Sequence, residues 1–369
     1  MKNTKRIKFT TDVIFEKMAE QGYEQIIFFR DKHTKLKGIT CIHNTTLGTS
    51  TGGTRFWNYE SADDALFDVM RLARGMTYKN AGAGLNLGGC KNVIIGDPSK
   101  KNEVLMRAYG RHINSLRGRV WTGEDININT TDCSYMAMET KYICGLEGKS
   151  GNPSIMTGYG IYLGVKATLK AKFGNDNVSQ YTFAVQGAGQ TGYYLIKHLV
   201  ANKAKKIYFT EMNQHNIDRM HKEHPEVEFV PPEKIYSLNV DAFCPCALGG
   251  LLNNNTIPML KAKIVAGSAN NILLDDVKHD IMLKNKNILY APDFIINAGG
   301  VINVYHEIIG YNKDAATRDT EKIYNRLLEI YKLAKSKNIG TQKAAMLYAQ
   351  NRIDDVGEIN KNFSCDFRG

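Results

Sequence analysis

The sequence predicts an α/β protein with two domains and C-terminal helices that return to the first domain. Its 369 residues exceed what one hydrophobic core usually serves, and 43% of them are apolar, which is enough for two cores. Strand-like apolar runs alternate with amphipathic helical patterns along most of the chain. Because residues 145–153 have the composition of a linker, we expect a first domain over residues 1–148, a second over residues 149–330 and a C-terminal helical segment over residues 331–369.

The positive charge of the chain is spread along its length. Lysine and arginine number 48 against 37 aspartates and glutamates, which gives a net charge of +11. A nucleic-acid partner would need a concentrated basic face with interleaved aromatic residues, and the short lysine clusters lack them, so we expect none. No apolar run is long enough to cross a bilayer, and the N-terminus lacks the apolar segment of a secretory signal. We therefore expect no membrane association and a cytoplasmic location.

The cysteines and histidines form no recognisable disulfide or metal pattern. The seven cysteines are odd in number and none is spaced as Cys-x-x-Cys, while the histidines contain no His-Glu-x-x-His. We expect reduced thiols and no bound metal.

The first domain begins with strands and a glycine-rich stretch and continues with a long helix. Residues 25–29 and 37–43 are strand-like, and residues 47–55 contain several glycines. Ser61 can cap the helix that follows, its apolar residues form one face, and the pattern extends to Lys79. Further along we expect a strand over residues 92–96, a helix over residues 101–116 and a strand over residues 120–125.

Two lysines bracket the segment after this helix. Between Lys79 and Lys91 lie four glycines, which free the backbone to bring both ammonium groups to one cleft. Two like charges that are close and partly desolvated lower each other's pKa, so a neutral amine becomes accessible as a base near neutral pH. The alternative is that both lysines are solvated surface residues beside a flexible loop, as lysines usually are.

The second domain opens with a helix over about residues 157–172 and contains a glycine-rich turn between a strand and a helix. The predicted order is a strand at residues 181–186, the turn Gly187-Ala188-Gly189-Gln190-Thr191-Gly192, a helix at residues 193–202, a strand at residues 206–210 and then Glu211. The acidic residue follows the third glycine by about 20 positions, which is typical of a Rossmann-type dinucleotide-binding fold. A G-x-G-x-x-G turn alone also occurs in unrelated proteins.

Each part of this turn has a physical role in such a fold. Gly187 permits the tight turn, Gly189 lets backbone amides approach a pyrophosphate at a helix N-terminus, and Gly192 allows the helix to pack closely on the strand. Glu211 can bind ribose hydroxyls and would repel a 2′-phosphate, so we expect NAD rather than NADP. Three later strands are expected to end in candidate cofactor loops at residues 245–250, 267–271 and 292–300.

Six longer motifs follow one another along the chain. They are Gly52-Gly-Thr-Arg-Phe-Trp-Asn-Tyr59, Gly75-Met-Thr-Tyr-Lys79, Gly84-Leu-Asn-Leu-Gly-Gly-Cys-Lys91, Val93-Ile-Ile-Gly-Asp-Pro98, Gly267-Ser-Ala-Asn-Asn271 and Asn297-Ala-Gly-Gly-Val-Ile-Asn-Val304. Together they resemble the glutamate/leucine/phenylalanine/valine dehydrogenase family over about residues 20–350. Within that family the chain is most similar to leucine dehydrogenase and related apolar amino acid dehydrogenases.

This resemblance implies an NAD-dependent enzyme that catalyses reversible oxidative deamination: an apolar L-amino acid, NAD⁺ and water give a 2-oxo acid, ammonium and NADH. It implies that the first domain binds substrate and assembles a homo-oligomer, while the second binds NAD. By position, Lys79 resembles the lysine that holds the substrate carboxylate, and Lys91 the catalytic lysine that polarises the carbonyl and activates water. Asp125 resembles the aspartate that exchanges protons with the amino group, although from the residues alone it could equally cap a turn.

The resemblance and the glycine-rich turn together predict two sets of binding residues. The substrate-binding positions are Lys79, Gly52, Thr51, Met76, Gly123, Asn271, Val301 and Val304. The cofactor-binding positions are Thr157, Gly187, Gly189, Gln190, Thr191, Gly192, Glu211, Cys246, Ala247, Asn270 and Asn297. As alternatives, Met76 could belong to the core, and the adjacent asparagines 270 and 271 could be ordinary loop residues.

The predicted pocket does not fix one substrate. The segment of residues 83–91 favours leucine and other branched-chain amino acids. Gly123 stands where branched-chain enzymes usually have alanine, and Thr51 where they have leucine, which predicts a roomier pocket and an aromatic amino acid (phenylalanine or tryptophan) as the alternative. One methylene changes discrimination by only about 1–3 kcal/mol.

The residues at and beside Lys91 bear on two further interpretations. An NAD-binding sensor without turnover is an alternative of another class, but it would be expected to lack Lys91 or Asp125, and both are present. We interpret Cys90, beside Lys91, as structural.

Overall fold

The structure is a computed structural model that describes residues 9–146 and 152–362. The chain divides into two compact units: residues 1–151, 307–309 and 350–369 form the first, and residues 152–306 and 310–349 form the second. Part of the predicted linker, residues 147–151, lies outside the described residues.

The first unit is built on a six-stranded mixed sheet. Its strands are β1 (Gln25–Arg30), β2 (Lys37–Asn44), β3 (Ser50–Thr51), β4 (Thr54–Trp57), β5 (Gly88–Ile95) and β6 (Val120–Trp121). The order is β1-β2-β5-β3-β6, and β4 also pairs with β5. β2 is antiparallel to both β1 and β5, whereas β3 and β4 run parallel to β5. The central strand β5 is therefore held along both of its edges.

Helices cover both faces of this sheet. They are α1 (Thr11–Gln21), α2 (Ala62–Gly82), α3 (Glu103–Ser115) and α4 (Thr130–Ala137). On one face the apolar side of α2 joins Val93 of β5 in a buried cluster, and on the other α3 and α4 surround Ile94. The predicted start of α2 is confirmed, because the Ser61 side chain accepts a hydrogen bond from the backbone N–H of Asp64. Helix α1 was not predicted from the sequence.

The second unit contains a six-stranded parallel sheet. Its strands are β7 (Thr182–Gln186), β8 (Lys206–Thr210), β9 (Glu228–Phe229), β10 (Ala242–Pro245), β11 (Ile264–Val265) and β12 (Leu289–Tyr290). In the order β12-β11-β10-β7-β8-β9, strands β8 and β9 follow on one side of β7, and strands β10, β11 and β12 follow on its other side. In such sheets, ligands bind beyond the carboxyl ends of the strands at this switch point, where β7 and β10 lie side by side.

The remaining helices pack on this sheet or follow it. They are α5 (Pro153–Phe173), α6 (Gln190–Ala201), α7 (Gln214–Glu223), α8 (Thr256–Met259), α9 (Lys278–Asn285), α10 (Asp293–Ile296), α11 (Gly299–Ile309), α12 (Lys313–Lys337) and α13 (Thr341–Asn362). Among the residues that the structure describes, no helix is both long and apolar enough to cross a membrane.

The predicted fold class is confirmed: an N-terminal α/β unit with a mixed sheet, a parallel Rossmann-type sheet, and a C-terminal helix whose last residues belong to the first unit. Three boundaries differ from the predictions. Residues 331–349 belong to the second unit, because α12 packs against α5 and Tyr331 shares a buried hydrogen bond with Thr168, so the return begins at Gln350. The strand expected over residues 120–125 ends at Trp121, and the loop expected over residues 292–300 contains α10 and the start of α11.

Candidate active site

Lys79 and Lys91 lie on two elements of the first unit that pack closely together. Lys91 lies within β5 and is only 6% exposed, and Lys79 lies in the last turn of α2. A Cβ atom on Gly89 would lie 2.1 Å from the backbone nitrogen of Thr77, so only glycine lets the helix approach the strand this closely. The helix end that carries Lys79 is thereby fixed against the strand that carries Lys91.

Lys91 forms an ion pair with Asp125. Its Nζ atom lies 3.1 Å from Asp125 Oδ1, and Asp125 is in the loop that follows β6. This loop is held against the start of β4, where the backbone N–H of Thr54 donates to the Gly123 carbonyl over 2.9 Å. The structure therefore brings together the two predicted catalytic residues, and the predicted electrostatic effect of Lys79 on Lys91 stays a prediction.

Arg55, which lies on β4 beside Asp125, was not predicted from the sequence to have a role in the site. Its Nε donates to Asp125 Oδ2 over 3.0 Å, and its Nη1 donates to Asp68 Oδ2 over 2.8 Å. The hydroxyl of Tyr59 donates to the same Asp68 oxygen over 2.8 Å. In the sequence, the only indication of a role for Arg55 was its place within the Gly52–Tyr59 motif.

These contacts set the charge state of Asp125. Burial alone would raise the pKa of its carboxyl group, but the charges of Lys91 and Arg55 and their hydrogen bonds outweigh burial and hold the pKa below its usual range. By contrast, burial raises the pKa of the Cys90 thiol to about 12, and this side chain is fully buried. Cys90 is therefore a neutral thiol packed in the core at neutral pH.

Five of the predicted substrate-binding residues belong to the first unit: Lys79, Thr51, Gly52, Met76 and Gly123. Thr51 is buried and donates its hydroxyl to the Trp121 carbonyl, and Met76 is half-buried on α2. A Cβ atom on Gly52 would lie 1.8 Å from the Cys90 carbonyl oxygen, so glycine is required there by the neighbouring strand. The other predicted substrate residues, Asn271, Val301 and Val304, belong to the second unit.

Gly123 is also required by the protein's own backbone. A Cβ atom at this position would lie 2.7 Å from the carbonyl oxygen of Cys144. From the sequence, glycine here was expected to leave room for a larger substrate side chain, but the backbone of Cys144 already limits the space that an alanine methyl group would occupy. A substitution would disturb this backbone contact before it could reshape a pocket.

The glycine-rich turn of the second unit has the geometry of a phosphate-binding turn. Gly187 has a φ of +93°, which favours glycine, and a Cβ atom on Gly192 would lie 1.9 Å from the Gly187 carbonyl oxygen. A Cβ atom on Gly189 would meet nothing within 4 Å, and no side chain caps the N-terminus of α6, which begins at Gln190. An open helix N-terminus with free space above its second glycine fits the pyrophosphate of a dinucleotide.

Glu211 lies directly after β8 and contacts the backbone of this turn. One carboxylate oxygen accepts a hydrogen bond from the Ala188 N–H over 2.9 Å. The other oxygen accepts from the N–H groups of Met212 and Asn213, over 2.7 Å and 3.0 Å. Backbone donors thus fix the orientation of the residue predicted to bind the ribose.

A buried asparagine carries an unsatisfied acceptor in the same unit. Asn297 donates to the Ser268 carbonyl over 3.1 Å and to Asn270 Oδ1 over 2.9 Å. Its own Oδ1 is buried and has no hydrogen-bond partner. Since buried polar atoms are nearly always paired, this atom fits a ligand that supplies a donor, such as the carboxamide of nicotinamide.

The other predicted cofactor residues, and the predicted substrate residue Asn271, also belong to the second unit. Thr191 shares a hydrogen bond of 2.7 Å with Ser268, a residue that the sequence analysis did not select. Cys246 and Ala247 follow β10, and a Cβ atom on Gly187 would lie 3.0 Å from Ala247. The Thr157 hydroxyl on α5 donates to the Pro153 carbonyl over 2.8 Å, and the exposed Asn271 has a positive φ of +51°.

No metal site accompanies these clusters within residues 9–146 and 152–362, where no three histidine, cysteine or acidic side chains are grouped as ligands. The expected absence of a metal stays a prediction.

Two family models match the chain. Residues 24–142 match the Glu/Leu/Phe/Val dehydrogenase dimerisation domain, and residues 204–359 match the Glutamate/Leucine/Phenylalanine/Valine dehydrogenase domain. The chain belongs to the Glu/Leu/Phe/Val dehydrogenase family. It is an NAD(P)-dependent amino acid dehydrogenase of the leucine, phenylalanine and tryptophan group.

Individual relatives cover almost the whole chain. Leucine dehydrogenase from Thermoactinomyces intermedius is 48% identical over 359 residues, which is 96% of this chain and 97% of that protein. Phenylalanine dehydrogenase from Caldalkalibacillus thermarum is 41% identical over 96% of this chain and 97% of its own length. The crystal structure of L-tryptophan dehydrogenase from Nostoc punctiforme superposes with a TM-score of 0.84 at 41% identity, covering 93% of this chain and 99% of that one.

Proposed function

We propose that this enzyme catalyses the NAD-dependent, reversible oxidative deamination of an apolar L-amino acid, with leucine and other branched-chain amino acids favoured. In the forward direction an amino acid, NAD⁺ and water yield a 2-oxo acid, ammonium, NADH and a proton. The observation that carries the proposal is the ion pair between Lys91, which is buried in β5, and Asp125 in the loop after β6. The high identity to a leucine dehydrogenase supports the favoured substrate.

The residues of the first unit would bind and activate the amino acid. Lys79, as a fixed positive charge, would hold the substrate carboxylate. Lys91, as a neutral amine, would accept a proton from the water that attacks the imine carbon, and the resulting ammonium would polarise the carbonyl group and stabilise the negative charge that develops on its oxygen. Asp125, held ionised by its cations, would accept a proton from the substrate ammonium and return it to the departing amine.

The residues of the second unit would hold the dinucleotide. When bound, the nicotinamide accepts a hydride from the substrate Cα atom. The open N-terminus of α6 would bind the pyrophosphate, and Asn297 Oδ1 would accept a hydrogen bond from the carboxamide. Glu211, whose orientation is fixed by three backbone donors, would bind ribose hydroxyls and disfavour a 2′-phosphate, so we propose NAD as the cofactor.

An aromatic L-amino acid is the second candidate substrate. Relatives that act on phenylalanine and tryptophan are 41% and 43% identical to this chain, close to the 48% of the leucine enzyme. Thr51, which stands where branched-chain enzymes have leucine, further supports a pocket that differs from a strictly branched-chain one.

A panel of L-amino acids, each incubated with NAD⁺ or NADP⁺ while absorbance follows NADH or NADPH, tests the proposal. We expect kcat/KM to be highest with leucine, isoleucine or valine and NAD⁺. A higher kcat/KM for phenylalanine or tryptophan would select the second candidate, and no turnover with any amino acid would contradict the function.

Lys91→Ala tests the role of the ion pair. We expect turnover to be lost while NADH still binds, measured by nucleotide fluorescence, because the dinucleotide loops belong to the other unit. Activity near that of the wild type would remove Lys91 from the mechanism.

The match of residues 24–142 to a dimerisation domain supports a homo-oligomer assembled through the first unit. A cytoplasmic location stays a prediction.

A further inference from the structure

The carboxylate of Asp125 is held by a different cation on each of its oxygens. Lys91 Nζ lies 3.1 Å from Oδ1, whereas Arg55 Nε donates to Oδ2 over 3.0 Å. Side-chain exposure is low for all three, at 7% for Lys91, 18% for Arg55 and 23% for Asp125. Because Arg55 occupies Oδ2, the oxygen that faces Lys91 is Oδ1.

Arg55 is itself anchored on the side away from Asp125. Asp68 of α2 accepts from Arg55 Nη1 over 2.8 Å, and this carboxylate is further held by the Tyr59 hydroxyl. The backbone of Arg55 lies in β4, paired with Val93 of β5. The guanidinium therefore spans two carboxylates from a strand adjacent to the one that carries Lys91, which leaves it little freedom to move.

We propose that Arg55 is a positioning residue that orients the Asp125 carboxylate, so that Oδ1 is presented to Lys91 and to the substrate amine. This inference rests on the proposed function of Asp125 as the group that exchanges protons with that amine. Arg55 would touch neither the substrate nor the cofactor and would act only through Asp125.

Arg55 also affects the protonation state of Asp125. The charged and titratable groups around this carboxylate include Lys91 from β5, Arg55 from β4 and Tyr59 after β4, and Asp68 from α2 contacts the far side of Arg55. Burial favours the protonated acid, and Arg55 is one of the two cations that oppose burial. Without Arg55, the pKa of Asp125 would rise, so the carboxylate would lose its capacity to accept a proton from the substrate ammonium at a higher pH than in the wild type.

Arg55→Gln, with Arg107→Gln as a matched control, tests this inference. Arg107 also bridges two carboxylates of the first unit, Glu139 and Glu103, but contacts neither Lys91 nor Asp125. In Arg55→Gln the acid limb of the kcat/KM profile should move to higher pH by about one to three units, the usual effect of an adjacent arginine on an aspartate. Arg107→Gln should leave the profile unchanged. A folded Arg55→Gln enzyme with the wild-type acid limb would overturn the proposal.

Two further variants separate charge from orientation. Arg55→Lys keeps the charge but loses the planar fork, so the acid limb should stay near that of the wild type while kcat falls roughly ten- to a hundredfold. If Arg55→Gln does not fold, Asp68→Asn releases the far anchor of the guanidinium and should also lower kcat. An unchanged kcat in both variants would show that Arg55 does not orient the carboxylate.

A readout that needs no turnover distinguishes failure of this inference from failure of the proposed function. In enzyme labelled with ¹³C at the aspartate carboxyl carbon, with Asp125→Asn identifying the resonance, the titration midpoint of Asp125 should be about one to three pH units higher in Arg55→Gln. If no amino acid is oxidised but this midpoint moves, the function fails while Arg55 still controls Asp125. If amino acids are oxidised and the midpoint does not move, the inference about Arg55 fails alone.

Discussion

Replacing Gly89 with alanine should separate the helix that carries Lys79 from the strand that carries Lys91. The added Cβ atom would lie 2.1 Å from the backbone nitrogen of Thr77 and 2.2 Å from its hydroxyl oxygen. Ordinary contact begins near 3.4 Å, and the obstacle is helix backbone rather than a movable side chain, so α2 must retreat by roughly 1 Å.

This displacement of α2 should have two measurable effects, one on stability and one on activity. Overpacking of this kind destabilises a protein by about 1–3 kcal/mol, and each kcal/mol lowers the Tm by roughly 2–4 °C in a domain of this size. Misplacing a substrate-holding group by about 1 Å can reduce the rate on the order of a hundredfold, so kcat/KM for the amino acid should fall far more than the stability change implies. The KM for NAD⁺ should change little, because the glycine-rich turn belongs to the other unit.

Gly75→Ala provides the matched control, since it makes the same substitution on α2 itself. A Cβ atom on Gly75 would meet nothing within 4 Å, and alanine is favoured over glycine within a helix by about 1 kcal/mol. The Tm of this variant should therefore rise or stay constant, with unchanged kinetics. The reasoning is refuted if Gly89→Ala retains both the wild-type Tm and the wild-type kcat/KM for the amino acid.

Three other predictions follow from the structure. Gly123→Ala should lower the Tm by a few degrees through its contact with the Cys144 carbonyl, and a shift toward smaller substrates at constant Tm would instead support a role in the pocket. Lys79→Ala should raise the KM for the amino acid about tenfold or more while leaving the KM for NAD⁺ unchanged; equal effects on both would contradict a carboxylate role. Burial lowers the pKa of His43 and of His112 to about 4, whereas the unfolded chain titrates near 6.5, so the unfolded state binds more protons between these values. The free energy of unfolding should therefore decrease as pH falls from about 6.5 to about 4. When this free energy is measured by urea denaturation at several pH values, it should depend less steeply on pH in a His43→Gln/His112→Gln variant than in the wild type.

Much of the fold was predictable because its signals are local. The cap at Ser61 and the apolar face of α2 predicted a helix that the structure contains, and the strand predicted over residues 206–210 coincides with β8. Boundaries that depend on distant partners were less predictable. β5 begins at Gly88 rather than after Lys91, because its first residues pair with β2 and β3, and no local pattern reveals those partners.

The candidate site likewise contains residues that the sequence predicted and residues whose distant partners only the structure revealed. Lys91 was selected from its motif and Asp125 from its position in the family resemblance, and the structure places them in contact. Arg55 lies in one of those motifs but was given no role, because its partners Asp68 and Asp125 lie 13 and 70 positions away along the chain. Ser268 was missed for a similar reason, since its partner Thr191 is 77 positions distant.

By itself, the sequence determined the family, the order of strands and helices around the glycine-rich turn, and the residue types that the chemistry requires, because these depend on short spacings and on side-chain identity. Tertiary structure alone decided which oxygen of Asp125 faces Lys91, and whether Gly89 and Gly123 leave room for a ligand or for the protein's own backbone. Those outcomes depend on distances between segments that are far apart in the chain, and packing fixes such distances only once the sheet of the first unit and its helices have formed.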